Sequence, residues 1–191
     1  TDEQVVLAPL ESRIQDITTR ADGFKPAKPF ADTKGEVGFP VPSGSEIVAR
    51  FGQTLEDGRT SMGVGFQTNG ADQITSVADG KVVYSSLVRT DNGNLYNQLI
   101  INAGNGHYVL YRTIEGSTFT KGVGEQVFKG DTIGNMPNQF TYQKCVGNCN
   151  TETSGSKPMV TVPIHSSQPK LYVEFRKNGK PIDPDSWWIK G

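Results

Sequence analysis

Val77-Ala78-Asp79-Gly80-Lys81-Val82-Val83-Tyr84 decides the fold class, because an Asp-Gly turn stands directly against a run of β-formers. The same grammar continues downstream. Asn97 to Asn102 and His107 to Thr113 are two apolar runs around Ala103-Gly104-Asn105-Gly106, which is a hairpin signal. Gly124 to Gly134 holds short β segments broken by Lys129-Gly130-Asp131, and Lys170 to Arg176 is β-rich and runs into the turn Lys177-Asn178-Gly179-Lys180. With 22 glycines and 11 prolines in 191 residues, the chain suits short strands joined by turns better than long helices. From Glu36 onward the expectation is therefore an all-β domain.

Two regions depart from that grammar. Leu10, Ile14, Ile17 and Ala21 recur at helical spacing, with Glu11, Arg13, Asp16 and Arg20 on other faces. Pro9 suits a first helical position and Gly23 the position just past the end. This predicts one short amphipathic helix, either packed on the domain surface or serving as a stub of a coiled coil or partner-binding helix. Phe24 to Gly35, with Pro26, Pro29 and three lysines, reads as a linker. Residues 1–35 thus form a helix and linker ahead of a domain over 36–191. The second departure is a polar insertion at about 135–169, expected to be irregular and dispensable for folding of the core.

The formal net charge of −1 argues against general nucleic-acid binding, which needs a basic footprint. No stretch approaches the ~20 apolar residues of a membrane span. No signal peptide is visible at Thr1, which is consistent with a signal removed before this numbering begins. The only two cysteines lie in Cys145-Val146-Gly147-Asn148-Cys149. A disulfide closing about five residues would remove roughly 2 kcal/mol of unfolded-state entropy in the loop-closure model. It would also place the chain in an oxidising compartment. Two free thiols, or a metal site drawing on Cys145, Cys149, His165 and His107, are the alternatives, although that spacing matches no strong zinc pattern.

The words Phe39-Pro40-Val41, Phe51-Gly52, Val77 to Tyr84, Gly104-Asn105-Gly106 with Leu110-Tyr111, Gly124 to Gly134, Leu171 to Arg176, Asn178 to Pro184 and Trp187 occur in an order that resembles the LytM/lysostaphin-type peptidoglycan metallopeptidase domain. The resemblance runs from about Gly38 to Trp188. It implies an all-β fold of the LytM type, a duplicated hybrid motif built as a β-sandwich or barrel, here with a short N-terminal helix. Active members hold zinc on His, Asp and His, with a further His near the attacking water; zinc needs three protein ligands and an open position. On this alignment Ser61 stands at the first His and Gly65 at the Asp. Lys170 takes the catalytic His position, Tyr172 the last zinc-ligand position, and Thr113 the His that follows a Tyr by two. A lysine in that centre would also repel the cation. His107 and His165, the only two histidines, align with no ligand position and read as surface residues.

The resemblance therefore implies a degenerate LytM domain with no metal, no cofactor and no enzymatic activity, similar to the EnvC/NlpD-type activators of cell-wall amidases. The implied function is a non-catalytic cell-envelope protein, in the periplasm or outside the cell. It would bind or regulate a peptidoglycan hydrolase through a vacated groove lined by Ser61, Gly65, Arg112, Thr113, Lys170 and Tyr172. A peptidoglycan- or glycan-binding module and a structural subunit of an envelope assembly are the rival readings. Lys170, Tyr172 and Arg112 read either as a cationic-aromatic contact surface or as filling of the vacated site. Trp187 and Trp188 read as core closure or as a ligand-stacking surface. Glu174 and Asp183 belong to the scaffold words rather than to an acid/base pair.

Overall fold

The structure, a computed structural model, describes residues 5–6, 9–20, 23–55, 58–68, 72–90, 95–114, 118–136, 141–146, 151–152, 159–163 and 169–190. In chain order the elements are β1 (Val5–Val6), α1 (Leu10–Thr18), a 3₁₀ turn (Phe30–Thr33), β2 (Glu46–Ala49), β3 (Val64–Gln67), β4 (Gln73–Thr75), β5 (Gly80–Arg89) and β6 (Leu95–Gly104). There follow β7 (His107–Ile114), β8 (Thr118–Phe119), β9 (Gln126–Val127), β10 (Thr132–Asn135), β11 (Thr141–Cys145), β12 (Thr151–Glu152), β13 (Met159–Pro163), β14 (Leu171–Lys177) and β15 (Lys180–Ile182). The expected mostly β fold with one short N-terminal helix is what the chain forms.

An eight-stranded sheet runs β2-β3-β14-β7-β6-β5-β9, with β15 paired to β14 at its end. A three-stranded sheet, β4-β10-β8, lies beside it. Gly80 opens β5 at a close approach between strands: a Cβ there would stand 2.1 Å from Ile101 Cγ2 and 2.7 Å from the Asn102 carbonyl oxygen. The Asp-Gly pair is thus needed for strand contact as well as for chain reversal. The β6–β7 hairpin turns through Gly104, Asn105 and Gly106, all at positive φ.

The centre of the large sheet is buried on both faces, and β14 shows how. Leu171, Val173 and Phe175 point into the main core with Phe66, Ile101, Tyr111, Trp187 and Trp188. Tyr172, Glu174 and Arg176 alternate onto the other face. On that face Leu10 and Ile14 of α1 pack against Val88, Ile100, Tyr108 and Leu110, with Ile17 and Tyr172 beside them. The helix therefore has an occupant for its apolar stripe within its own chain. Glu11 fixes it further by a two-pronged pair with Arg176, at 2.9 and 2.8 Å.

Three expectations need correction. The stretch 24–35 is no mere linker, because Phe30 is buried and stacks on Trp187 at 4.6 Å, and the Gly35 and Val37 amides both donate to the Trp187 carbonyl. A Phe in a Pro- and Lys-rich segment carried the apolar signal that the surrounding composition masked. His107 is not a surface residue; it is buried edge-on to Phe30 and Trp187. The insertion is not wholly irregular either, since β11 and β13 pair antiparallel over five positions and β12 pairs with β1. Met136, at the start of the insertion, sits in the main core. Cys149 and His165 lie outside the described residues, and with Cys149 the proposed Cys145–Cys149 bond.

Candidate functional site

The positions singled out in the sequence do meet on neighbouring strands. Gly65 on β3 faces Tyr172 on β14, and Tyr172 faces Arg112 on β7. Thr113 is paired with Leu171, one residue along, and the Lys170 amide donates to the Phe66 carbonyl. What they form is closed rather than open. Ser61, Gly65, Thr113 and Lys170 are all buried, and only Arg112 and Tyr172 keep partial exposure.

Each buried position is occupied by something specific. At Gly65 a Cβ would lie 2.7 and 2.9 Å from Pro169 and 3.2 Å from the Ala49 methyl. Pro169 therefore fills the space a carboxylate would need. The Ser61 hydroxyl donates to the Gly63 carbonyl at 2.9 Å. Gly63 itself is pressed against the Val173 carbonyl, where a Cβ would come within 2.1 Å. The Lys170 ammonium donates to the Thr68 carbonyl at 2.9 Å. Burial holds its pKa below the ordinary lysine value, and the Asp72 charge pulls the other way.

Tyr172 belongs to a polar chain on the α1 face. Its hydroxyl donates to Glu174 at 2.6 Å, and Glu174 in turn accepts from Arg176 Nε at 2.8 Å. The Arg112 guanidinium lies over the Tyr172 ring at 5.4 Å and is held by the Gln98 side-chain oxygen. Burial, then the Glu174 carboxylate, pushes the Tyr172 phenol well above its ordinary pKa. A phenol kept protonated is a poor metal ligand, since binding needs the deprotonated group.

These residues do not fit zinc. The five positions offer a hydroxyl already bonded to backbone, a glycine whose side-chain space is filled, an ammonium, a neutral phenol and the buried Thr113 hydroxyl. No three His, Cys, Asp or Glu side chains converge elsewhere among the described residues. Sequence reasoning did not identify Pro169 as the filler or Glu11 as the partner of Arg176. The first had a signal, a proline next to the Lys170 position. The second had none, because the two residues are 165 positions apart.

The fold defines a class, a β-sheet domain with a metallopeptidase-type strand arrangement. The model of Peptidase family M23 matches residues 59–184, about two thirds of the chain, and the chain belongs to that family. Among solved structures, a peptidase M23 from Pseudomonas aeruginosa is similar with a TM-score of 0.55 and 14% identity, over 92% of this chain and 57% of that one. The catalytic domain of the prophage-encoded M23 protein EnpA from Enterococcus faecalis matches with a TM-score of 0.53 and 15% identity, over 80% of this chain and 98% of that one. The SpoIIQ–SpoIIIAH pore-forming complex contains a chain with a TM-score of 0.55 and 15% identity, over 82% of this chain and 93% of that one. This chain thus spans little more than half of the Pseudomonas protein, and one third of Csd3 from Helicobacter pylori. A comparison with curated proteins finds no match. No described helix is long and apolar enough to cross a membrane.

Proposed function

We propose that this M23 domain is a non-catalytic factor of the cell envelope that acts by protein contact, binding or regulating a peptidoglycan hydrolase. The observation that carries the reading is the filling of the Gly65 position by Pro169 and Ala49, and the Lys170 ammonium, bonded to the Thr68 carbonyl, accords with it. Of the six residues of the expected groove, only Arg112 and Tyr172 keep surface that a partner can reach. A guanidinium stacked on a tyrosine ring suits an acidic or aromatic contact, and both residue types are enriched at binding hot spots. That M23-fold chains engage in protein assemblies is in keeping with this reading, SpoIIQ being found with SpoIIIAH in a pore-forming complex.

Two measurements on the purified chain test the proposal. Elemental analysis after zinc exposure should find well under one equivalent, and cross-linked peptidoglycan should not be cleaved. A candidate amidase should gain activity on sacculi when the chain is added, and lose that gain with Arg112→Glu. Near-equimolar zinc with chelator-sensitive cleavage would refute the non-catalytic reading. Unchanged amidase activity, with capture of the chain on bare sacculi, would instead favour a glycan-binding module.

A further inference from the structure

We propose that a cleft at the C-terminal end of α1, beside the β6–β7 and β14–β15 turn tips, is a binding site for a small acidic saccharide of the uronate type. The cleft has a volume of about 390 Å³ and is lined by Arg20, Phe24, Lys25, Asn102, Asn105 and Asn178, among others. It stands apart from the proposed protein-contact function and does not depend on it.

The site is built from two turn tips held against each other. Asn105 ends the β6–β7 hairpin and Asn178 the β14–β15 hairpin, and the Asn178 amide donates to the Gly106 carbonyl at 2.9 Å. Lys177 Nζ ties the same tips together by donating to the Asn105 carbonyl at 2.8 Å. Both asparagines have left-handed backbones, with φ of 53° and 51°. Glycine would be the relaxed residue at each. Among the described residues neither asparagine side chain has a hydrogen-bond partner, and neither has the Lys25 ammonium.

The chemistry of these groups selects the ligand. A side-chain amide offers two donors and an acceptor, which matches a sugar hydroxyl that must both give and receive a proton. A phosphate only accepts, so the amide carbonyls would gain nothing from it. Arg20 and Lys25 bring cationic charge to the cleft, and Arg20 is paired at 2.9 Å with Asp16, which does not line it. The half-buried Phe24 ring supplies the apolar wall that a sugar ring stacks on, and Tyr108, itself buried, anchors the Arg20 backbone by donating its hydroxyl to the Arg20 carbonyl. The volume lies near the small end of the roughly 300–1,000 Å³ of ligand pockets, which suits one or two rings rather than a long strand.

The test is titration of the isotope-labelled chain with galacturonate, digalacturonate, galactose and inorganic phosphate, followed by amide resonances. The two uronates should shift the resonances of 102–108 and 178–179 with dissociation constants in the millimolar range, and galactose should bind at least about tenfold more weakly. The double variant Asn105→Gly, Asn178→Gly removes both amides while keeping, and easing, the left-handed turns. It should retain the spectrum of the rest of the domain and weaken uronate binding by about tenfold or more. Lys25→Ala should weaken the uronates selectively. No shift at these residues with either uronate would overturn the proposal. So would galactose or phosphate binding as tightly as uronate, or a double variant that binds unchanged.

Discussion

At Gly65 the physical argument against metal is steric before it is electrostatic. Gly65→Asp, the substitution that restores the expected carboxylate, must displace Pro169 or Ala49, each within 3.2 Å of the new Cβ. Overpacking of that kind costs about 1–3 kcal/mol. The variant should show a lowered denaturation midpoint in urea and no gain in zinc by elemental analysis; stoichiometric zinc in a stable Gly65→Asp protein would overturn the account. Arg176 shows the opposite kind of dependence. It is fully buried and spends its donors on Glu11, Glu174 and the Gly179 carbonyl. Arg176→Met strands the Glu174 carboxylate in a site from which water is excluded, and should cost about 3–5 kcal/mol. Glu11→Gln leaves that pair intact and exposes its loss to solvent, so it should cost about 1–2 kcal/mol. A denaturant series on the two variants checks the order. The neighbourhood of Gly65, Lys170 and Tyr172 was legible in the sequence, since these positions fall on or beside adjacent strands as the motif spacing implies. What packs around them was less so, because Pro169 reaches Gly65 from the segment that leads into β14 and Glu11 reaches Arg176 from a helix far away in the chain.

The elements that the sequence resolved well are those whose signals are local. The β6–β7 and β14–β15 hairpins sit on their Gly-Asn-Gly and Asn-Gly tips, and α1 occupies the Leu10-Ile14-Ile17 stripe. The less legible elements depend on distant partners. Phe30 belongs to the core because Trp187 and Phe175 receive it, and nothing within 24–35 announces them. β11 and β13 are read poorly because each offers five residues of mixed polarity and takes its strand pairing from the other. Their pairing is mutual, which bears on the insertion's part in folding. Replacing 138–168 with a short Gly-rich turn, while keeping the buried Met136, should leave a single cooperative unfolding transition. Loss of the folded state in circular dichroism would show that the hairpin, or the β1–β12 pair beside it, contributes to the main core.

The molecule as a whole is closed by a seam in which the N-terminal stretch, the large sheet and the C-terminal tryptophans meet, and His107 stands in it. Its ring lies 5.6 Å from both Phe30 and Trp187, and its buried Nδ1 has no hydrogen-bond partner among the described residues. Burial, then the Lys177 charge, lowers its pKa below the ordinary histidine value, against a small opposing pull from the Gly104 carbonyl. The groups packed around it reinforce the direction. Lys177 faces it in the β7–β14 register, and Lys34 lies over the Trp187 ring at 5.6 Å, so a second positive charge there meets cations and aromatic edges rather than a carboxylate. A histidine with a lowered folded-state pKa binds more protons when unfolded. Its contribution to stability is therefore complete above the unfolded value of ~6.5 and is lost as pH falls from there through the folded value. The melting temperature should fall between about pH 7 and pH 5, before the carboxylates begin to titrate. His107→Phe keeps an aromatic ring in the seam and removes the proton site, so its melting temperature should be flat over that interval. A His107→Phe protein with the same acid slope as the parent would place the pH response in another group and sink the assignment.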